Sequence, residues 1–406
     1  MSSICFSVFS DIHCLAHDEW PNGAFPKLRR AFDLHENRLP RSDAYLFTGD
    51  TFYQLDKGSG TCTQIKEGAY ERFFEIYREN VGDRPALFVM GNHEYPQHID
   101  DFEMNRQSRE VFMRHTGMPL RFHQTIGGYH FIGASALSYY IPQNDETENF
   151  IRTEVEAALK DAPLKPVFIL LHAPLMRFYG ESDEIPYSKA FSDFLKRTPE
   201  AVVITGHTHE LNEDDHCIRR NGYTEINCPV FSIGGADFPA RAEGFTNDFG
   251  TVFELTETLL FEVKDSEVSV TTYDNVSGES VNRWIFDIRD RGLPGSAYTK
   301  EEQIARKPPE FAPDATVTVE GNEVVIKQSF MPYHYCIQYY TLVFKNRESG
   351  EETTVSYPRD FFRREKAEYL RKPIPTLPSG EYDCRLYVSN SFGTRCLSPL
   401  TFHLKV

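Results

Sequence analysis

Short, wholly apolar runs alternate with amphipathic stretches over the first two hundred residues. Ile4 to Phe9, Ala44 to Phe47, Ala86 to Met90, Tyr129 to Ala134, Val167 to Leu171 and Ala201 to Ile204 are strand-length blocks rich in β formers. Between them, Lys27 to Arg38, Glu67 to Tyr77, Phe102 to His115, Phe150 to Leu159 and Phe191 to Lys196 read as helices. Leu28, Phe32, Phe73 and Tyr77 mark their apolar sides. Strands with no polar alternation need cover on both faces, so this order predicts an α/β fold with a helix-covered sheet.

After Ile226 the pattern changes. Pro229 to Gly234, Gly250 to Leu255, Leu260 to Val263, Glu267 to Tyr273 and Trp284 to Ile288 read as successive strands. They are expected to form a second sheet packed on the first. Arg289 to Pro313 has no apolar period, and Lys307-Pro308-Pro309 reads as extended linker. From Ala315 onward the pattern is strands alone: Thr316 to Val319, Glu323 to Gln328, Cys336 to Phe344, Glu352 to Tyr357, Tyr382 to Val388 and one near Phe402. The expected organisation is therefore a domain over residues 1–290, a linker over 291–312 and an all-β module over 313–406. The last has the size of an immunoglobulin-like sandwich.

Composition narrows the function. A net charge of -17 disfavours broad binding to nucleic acid and to anionic lipid. A small phosphorylated substrate stays compatible, because bound cations would dominate the local potential. The apolar runs are too short to span a membrane, and the start lacks a basic segment and cleavage site, so the expected location is cytoplasmic. Eight cysteines without a Cys-x-x-Cys pair give no zinc-ribbon or thioredoxin signal, and free thiols are the expectation.

The candidate chemistry sits where strands end, the place where open α/β sheets bind ligands. Asp11-Ile12-His13, Gly49-Asp50, Gly91-Asn92-His93, His172 and Gly206-His207-Thr208-His209 each follow an apolar run. Together these loops offer carboxylate, amide oxygen and imidazole but no thiolate, a donor set for first-row metals. Taken singly, each has a plain reading: a surface histidine, a turn, a cap. All five in order, each just past a strand, are a far more specific signal. Glycine ahead of three of them lets the backbone turn without a Cβ clash.

These blocks resemble those of the calcineurin-like metallophosphoesterases, over about Ile4 to Ile288. The resemblance implies a four-layer α/β/β/α sandwich. It also implies two metal ions (Mn, Fe or Zn), one held by Asp11, His13, Asp50 and His209 and the other by Asp50, Asn92, His172 and His207. Phosphomonoesters or phosphodiesters, nucleotides among them, would be hydrolysed by hydroxide shared between the metals. His93 would serve the leaving group, with Glu94 orienting it. Gly49 to Tyr53 looks like the matching block of purple acid phosphatases, so a monoesterase of that kind is the alternative. A non-catalytic metal-binding scaffold of the same fold is another. Tyr95, His98, Tyr139, Tyr140, Arg177 and Tyr179 lie in loops after the metal blocks, and Tyr95 and Arg177 are the candidate substrate contacts. Leu377 to Tyr382 with Arg385 to Gly393 resembles the last strands of a fibronectin type III domain, Tyr382 being its tyrosine corner. Such a module could cover the cleft, bind a partner or form a homo-oligomer.

Overall fold

The computed structural model describes residues 2–15, 23–54, 64–96, 101–141, 143–175, 187–212, 215–231, 256–328, 337, 339–358, 367–390 and 392–406. The first sheet starts with β1 (Ser3–Phe9), β2 (Ala44–Phe47) and β3 (Ala86–Phe88), linked by α1 (Ala24–Asn37) and α2 (Gly68–Asn80). The middle of the chain supplies α3 (Phe102–Thr116), β4 (Arg121–Ile126), β5 (Tyr129–Ala134), α4 (Asp145–Asp161), β6 (Val167–Leu170), α5 (Lys189–Leu195), β7 (Ala201–Thr205), β8 (Ile218–Arg220) and β9 (Thr224–Asn227). Then come β10 (Glu257–Lys264), β11 (Glu267–Asp274) and β12 (Ser280–Asp287).

The expected second sheet is not made by the late strands. They extend the first, whose order is β12-β11-β10-β1-β2-β3, and β10 runs antiparallel along β1. The second sheet, β4-β5-β6-β7-β9-β8, comes from the middle of the chain. The reason is pairing: β1 is parallel to β2 on one side and has a free edge on the other, which the β10–β12 meander fills. β4 and β8 escape the apolar pattern because β4 is largely polar and β8 is three residues long. Pro229 to Phe231 forms no strand, while 232–234 and Gly250 to Leu255 lie outside the described residues.

Period-two alternation along β1 sorts the layers. Phe6 faces the second sheet, its ring 5.3 Å from Phe131 and 4.8 Å from Phe168. Phe9 faces the other way, 5.4 Å from Phe32 of α1. Ile132, Ile169 and Val203 turn the outer face of the second sheet against Ile151, Val155, Phe191 and Leu195 of α4 and α5. The layers therefore run helix, sheet, sheet, helix. Helix ends are capped locally: Asp101, Asn144 and Ser188 each accept a backbone N–H in the first turn of α3, α4 and α5.

The stretch read as linker carries α6 (Lys300–Ala305). Gln303 Nε2 donates to the carbonyls of Asp215 (2.8 Å) and Ile218 (3.0 Å), and Arg306 pairs with the buried Asp215 carboxylate. Beyond it, β13 (Val317–Glu320), β14 (Glu323–Lys327) and β17 (Tyr369–Pro373) form a three-stranded sheet. A four-stranded sheet has the order β16 (Glu352–Pro358), β15 (Tyr339–Asn346), β18 (Glu381–Ser389), β19 (Leu400–Lys405). Val324, Ile326, Tyr340, Leu342, Phe344, Leu386 and Val388 form their shared core. The Tyr382 hydroxyl donates to the Pro378 carbonyl at 2.8 Å. Among the described residues, no helix is long and apolar enough to cross a membrane.

Candidate metal centre

The loops after β1, β2, β3, β6 and β7 meet at one edge of the two sheets. Backbone bonds tie the first two together: Asp11 N–H donates to the Gly49 carbonyl (3.2 Å) and His13 N–H to that of Asp50 (2.8 Å). Gly206 N–H donates to the His172 carbonyl (2.9 Å), joining the last two. Asp11, His13, Asp50, His207 and His209 all have left-handed backbone, with φ between 49° and 75°. They are five of the nine non-glycine residues in that region among those described. Such a conformation costs about 1–3 kcal/mol at a non-glycine residue, so it persists only where neighbours enforce it. That strain has no signature in composition or period, and sequence reading missed it.

Two glycines work by close approach instead of by turning. A Cβ on Gly91 would lie 2.2 Å from Asp50 Oδ1 and 2.7 Å from His172 Cδ2. One on Gly206 would lie 1.9 Å from Ser10 Oγ and 2.6 Å from Asp11 Oδ2. Neither has positive φ; the loops need the missing methyl to bring carboxylate and imidazole together.

The side chains form two groups that share Asp50: Asp11, His13, Asp50 and His209, and Asp50, His172 and His207. In the first, His13 Nε2 and His209 Nε2 lie 3.1 Å apart, and His209 Nε2 lies 3.3 Å from Asp11 Oδ1. In the second, Asn92 Oδ1 lies 3.0 Å from His172 Nε2 and 3.1 Å from His207 Nδ1. His172 Nε2 stands 3.2 Å from Asp50 Oδ2. Bonds of ~2.0–2.2 Å to one cation would set its donor atoms about 3.0–3.5 Å apart, so the spacing suits a metal ion. Asp50 Oδ2 is buried and makes no hydrogen bond of good geometry, so a charged His172 at 3.2 Å or a bound cation has to offset the cost of its burial.

Electrostatics agree with that donor set. Burial would raise the Asp50 and Asp11 carboxyls. Around Asp50 the charges of His172 and His93 outweigh burial and hold it well below the usual range. His209, by hydrogen bond and charge, brings Asp11 to about 2. Burial, followed by the charge of His209, pushes His13 far down, leaving it neutral with a lone pair to give. His207 is also lowered, by its packed surroundings and then by His172, although part of the residue meets solvent. His172 goes the other way: burial opposes its charge, but Asp50 wins and raises it to about 10. A proton on His172 thus supplies part of the positive charge that a metal would bring. Its Nδ1 lies 3.0 Å from the Thr48 carbonyl, which orients Nε2 toward the site.

His93 N–H donates to Asp50 Oδ1 (2.8 Å), and the ring Nε2 stands 4.0 Å from Asp50 Oδ2. Glu94 is fully buried and accepts backbone N–H groups from Asp50 (3.0 Å), Phe52 (2.9 Å) and Gly91 (2.6 Å). Its carboxyl is pushed up to about 8 by burial and the nearby Asp50 charge, against those three donors. It therefore pins the loops of Asp50 and Gly91 by contact with their backbone.

Tyr95, a candidate substrate contact, is turned into the core. It is fully buried, its hydroxyl donates to the Ala136 carbonyl (2.8 Å), and Arg109 Nε donates to it (3.2 Å). Tyr53 and Tyr139 are the aromatics beside the site, with ring centroids 4.5 Å and 5.6 Å from that of His93. Arg177, His98 and Tyr179 lie outside the described residues. Sequence reading missed a third group, Glu210, His216 and Cys217, which has no motif spacing.

The structure resembles a purple acid phosphatase from yellow lupin (Lupinus luteus) seeds, at 13% identity and TM-score 0.51, over 73% of this chain. The chain spans 56% of the lupin protein's length. Smaller proteins align less closely. Vps29 complexed with zinc from Entamoeba histolytica has 16% identity and TM-score 0.30, over 70% of this chain and 99% of that one. A conserved uncharacterized protein of Streptococcus pneumoniae, a predicted phosphoesterase, has 12% identity and TM-score 0.29, with the same coverages. No curated protein matches the sequence. The sequence profile of the calcineurin-like phosphoesterases (Metallophos) matches residues 6–211, just over half of the chain. That span runs from β1 to the loop after β7 and holds every residue of the two metal groups, and the chain belongs to the calcineurin-like phosphoesterase family.

Proposed function

We propose that the protein is a dinuclear metal-dependent phosphoesterase acting on phosphomonoesters or phosphodiesters. The observation that carries this reading is Asp50, which is shared by both groups of metal-type ligands and whose buried Oδ2 makes no hydrogen bond of good geometry. Asp11, His13, Asp50 and His209 would hold one ion, and Asp50, Asn92, His172 and His207 the other, as Mn, Fe or Zn. When bound, two such ions supply Lewis acidity to phosphoryl oxygens and lower the pKa of a water to about 7.

The chain's own residues do the rest. The His93 backbone is fixed on Asp50, which leaves its ring beside the cluster. From there it would protonate the leaving oxygen or hold a phosphoryl oxygen. Glu94 keeps the loops of Asp50 and Gly91 in register through their N–H groups. Tyr53 and Tyr139 flank His93 and would give the leaving group an aromatic wall. The acidic surface favours a small phosphorylated substrate, such as a nucleotide, over a polyanion.

Tyr53 also motivates the second reading, a purple-acid-phosphatase-like monoesterase. Its ring centroid lies 5.5 Å from that of His13. Iron-loaded protein with a visible tyrosinate band that vanishes in Tyr53→Phe supports that reading, and colourless protein removes it. A scaffold without turnover is disfavoured because the full ligand set is present and converges. For residues 313–406 we propose a fibronectin type III-like sandwich. The reading is supported by the three- and four-stranded sheets and the Tyr382–Pro378 bond.

The test is metal analysis with mono-aryl and bis-aryl phosphate assays in Mn, Fe and Zn. Asp50→Asn, which disturbs both ions at once, is expected to lower turnover by several decades while the protein stays folded. Near-parental turnover in Asp50→Asn, or an inert and metal-free parent in all three metals, would end the proposal.

A further inference from the structure

The loop that carries His207 and His209 runs directly into a second convergence of donor atoms. Glu210 follows His209, and a 3-10 turn, Asp215–Cys217, brings His216 and Cys217 back against it. All three side chains are buried. Cys217 Sγ lies 3.3 Å from His216 Nε2 and 3.5 Å from Glu210 Oε2, and His216 Nε2 also touches the Glu210 carboxylate. Oxygen, nitrogen and sulfur therefore point at one another. The second carboxylate oxygen, Glu210 Oε1, is buried with no hydrogen-bond partner.

Protons alone serve this arrangement poorly. With both the Cys217 thiol and a His216 Nε2–H given to Glu210 Oε2, Oε1 still remains without a donor. A tetrahedral cation with a Zn–S bond of ~2.3 Å and Zn–N and Zn–O bonds of ~2.0–2.2 Å sets its donors about 3.4–3.6 Å apart. The sulfur–oxygen distance of 3.5 Å falls within that spacing, the sulfur–nitrogen distance of 3.3 Å lies just short of it, and rotation of the Glu210 carboxylate opens the third. Thiolate with imidazole and carboxylate selects a zinc-type ion over magnesium or calcium.

We propose that Glu210, His216 and Cys217 form a separate, structural site for a zinc-type divalent cation. It clamps the loop bearing His207 and His209 to the start of β8. The turn is held from its other side as well, because Asp215 accepts from Trp284 Nε1 at 2.7 Å and pairs with Arg306. The site would thus act at a distance from the reaction, by fixing where two metal-ligating imidazoles start.

Cobalt-substituted full-length protein separates this site from the Asp50 centre, whose donors include no sulfur. A thiolate-to-cobalt charge-transfer band in the near ultraviolet is expected. It should disappear in Cys217→Ser and persist in Cys14→Ser, the thiol beside His13. Cys217→Ser should also bind one equivalent of metal fewer than the parent. A cobalt-loaded protein without the band, or a band that survives in Cys217→Ser, overturns the proposal. Should that variant fail to fold, zinc-edge X-ray absorption on the parent decides: sulfur at about 2.3 Å supports the site, and a shell of nitrogen and oxygen alone refutes it. Asp50→Asn should leave the sulfur signal in place, so loss of the reaction and loss of this site read out independently.

Discussion

Gly91→Ala puts one methyl group where the loops of Asp50, Gly91 and His172 touch. The added Cβ would sit 2.2 Å from Asp50 Oδ1, 2.7 Å from Asp50 N and 2.7 Å from His172 Cδ2. An ordinary contact begins at 3.4 Å, so Oδ1 would have to retreat about 1.2 Å (3.4 less 2.2). Moving Asp50 also stretches the 2.8 Å bond from His93 N–H. Overpacking of this kind costs about 1–3 kcal/mol, a modest part of the 5–15 kcal/mol typical of a domain, so the variant should fold. Metal ligation is far less tolerant: donor distances hold to about ±0.2 Å, and a 1 Å misplacement at a reacting centre costs roughly a hundredfold in rate. The expected result is a lowered urea midpoint with an intact cooperative transition, loss of bound metal, and aryl-phosphate turnover down by about a hundredfold or more. Three measurements check it: unfolding by circular dichroism, metal content by elemental mass spectrometry, and initial rates. A folded variant with its full metal complement and parental turnover would refute the reasoning.

Three further outcomes follow from particular side chains. His93→Ala should slow hydrolysis of alkyl phosphates more than of aryl phosphates, whose leaving groups need less protonation; equal losses across a leaving-group series would argue for charge stabilisation instead. His35, fully buried between Ser7 Oγ (2.6 Å) and Thr258 Oγ1 (2.8 Å), is lowered by burial to about 3 from 6.5. The unfolded chain takes up a proton that the fold refuses, so this stability is present above pH 6.5 and fades as pH falls toward 3. By pH 5 the loss is about 2 kcal/mol, and the fall between pH 7 and 5 should be shallower by that amount in His35→Gln; parallel slopes would count against it. Arg306→Ala leaves the buried Asp215 carboxylate without its cation and should cost about 3 kcal/mol in urea unfolding, whereas an unchanged midpoint would mean that the pair is not formed in solution.

The first two hundred residues were legible where their strands are apolar throughout. Ala44 to Phe47 and Tyr129 to Ala134 coincide with observed strands, and the ligand loops fall at strand ends as read. What failed has physical causes. β4 alternates weakly and faces solvent in part, so period offers little signal there. Leu260 to Val263, Glu267 to Tyr273 and Trp284 to Ile288 fall on observed strands but were assigned to the wrong sheet, because strand character does not say which edge is free. Tyr95 looked like a contact from its place after His93, yet the loop folds it inward onto Ala136. The left-handed backbone at Asp11 and His209, and the Glu210–His216–Cys217 convergence, arise only when distant loops are packed together.

The place of β1 in its sheet has a consequence for how the protein is made. Its register partners on one side, Lys264 back to Leu259, emerge some 250 residues after it. At about 5–20 residues per second, translation leaves that edge waiting on the order of ten seconds or more. Through that interval a β-rich segment with an uncovered row of amides is exposed to whatever strand arrives first. Truncations before residue 264 would therefore yield aggregates, not a smaller folded domain, and chaperone demand should concentrate on nascent chains of intermediate length.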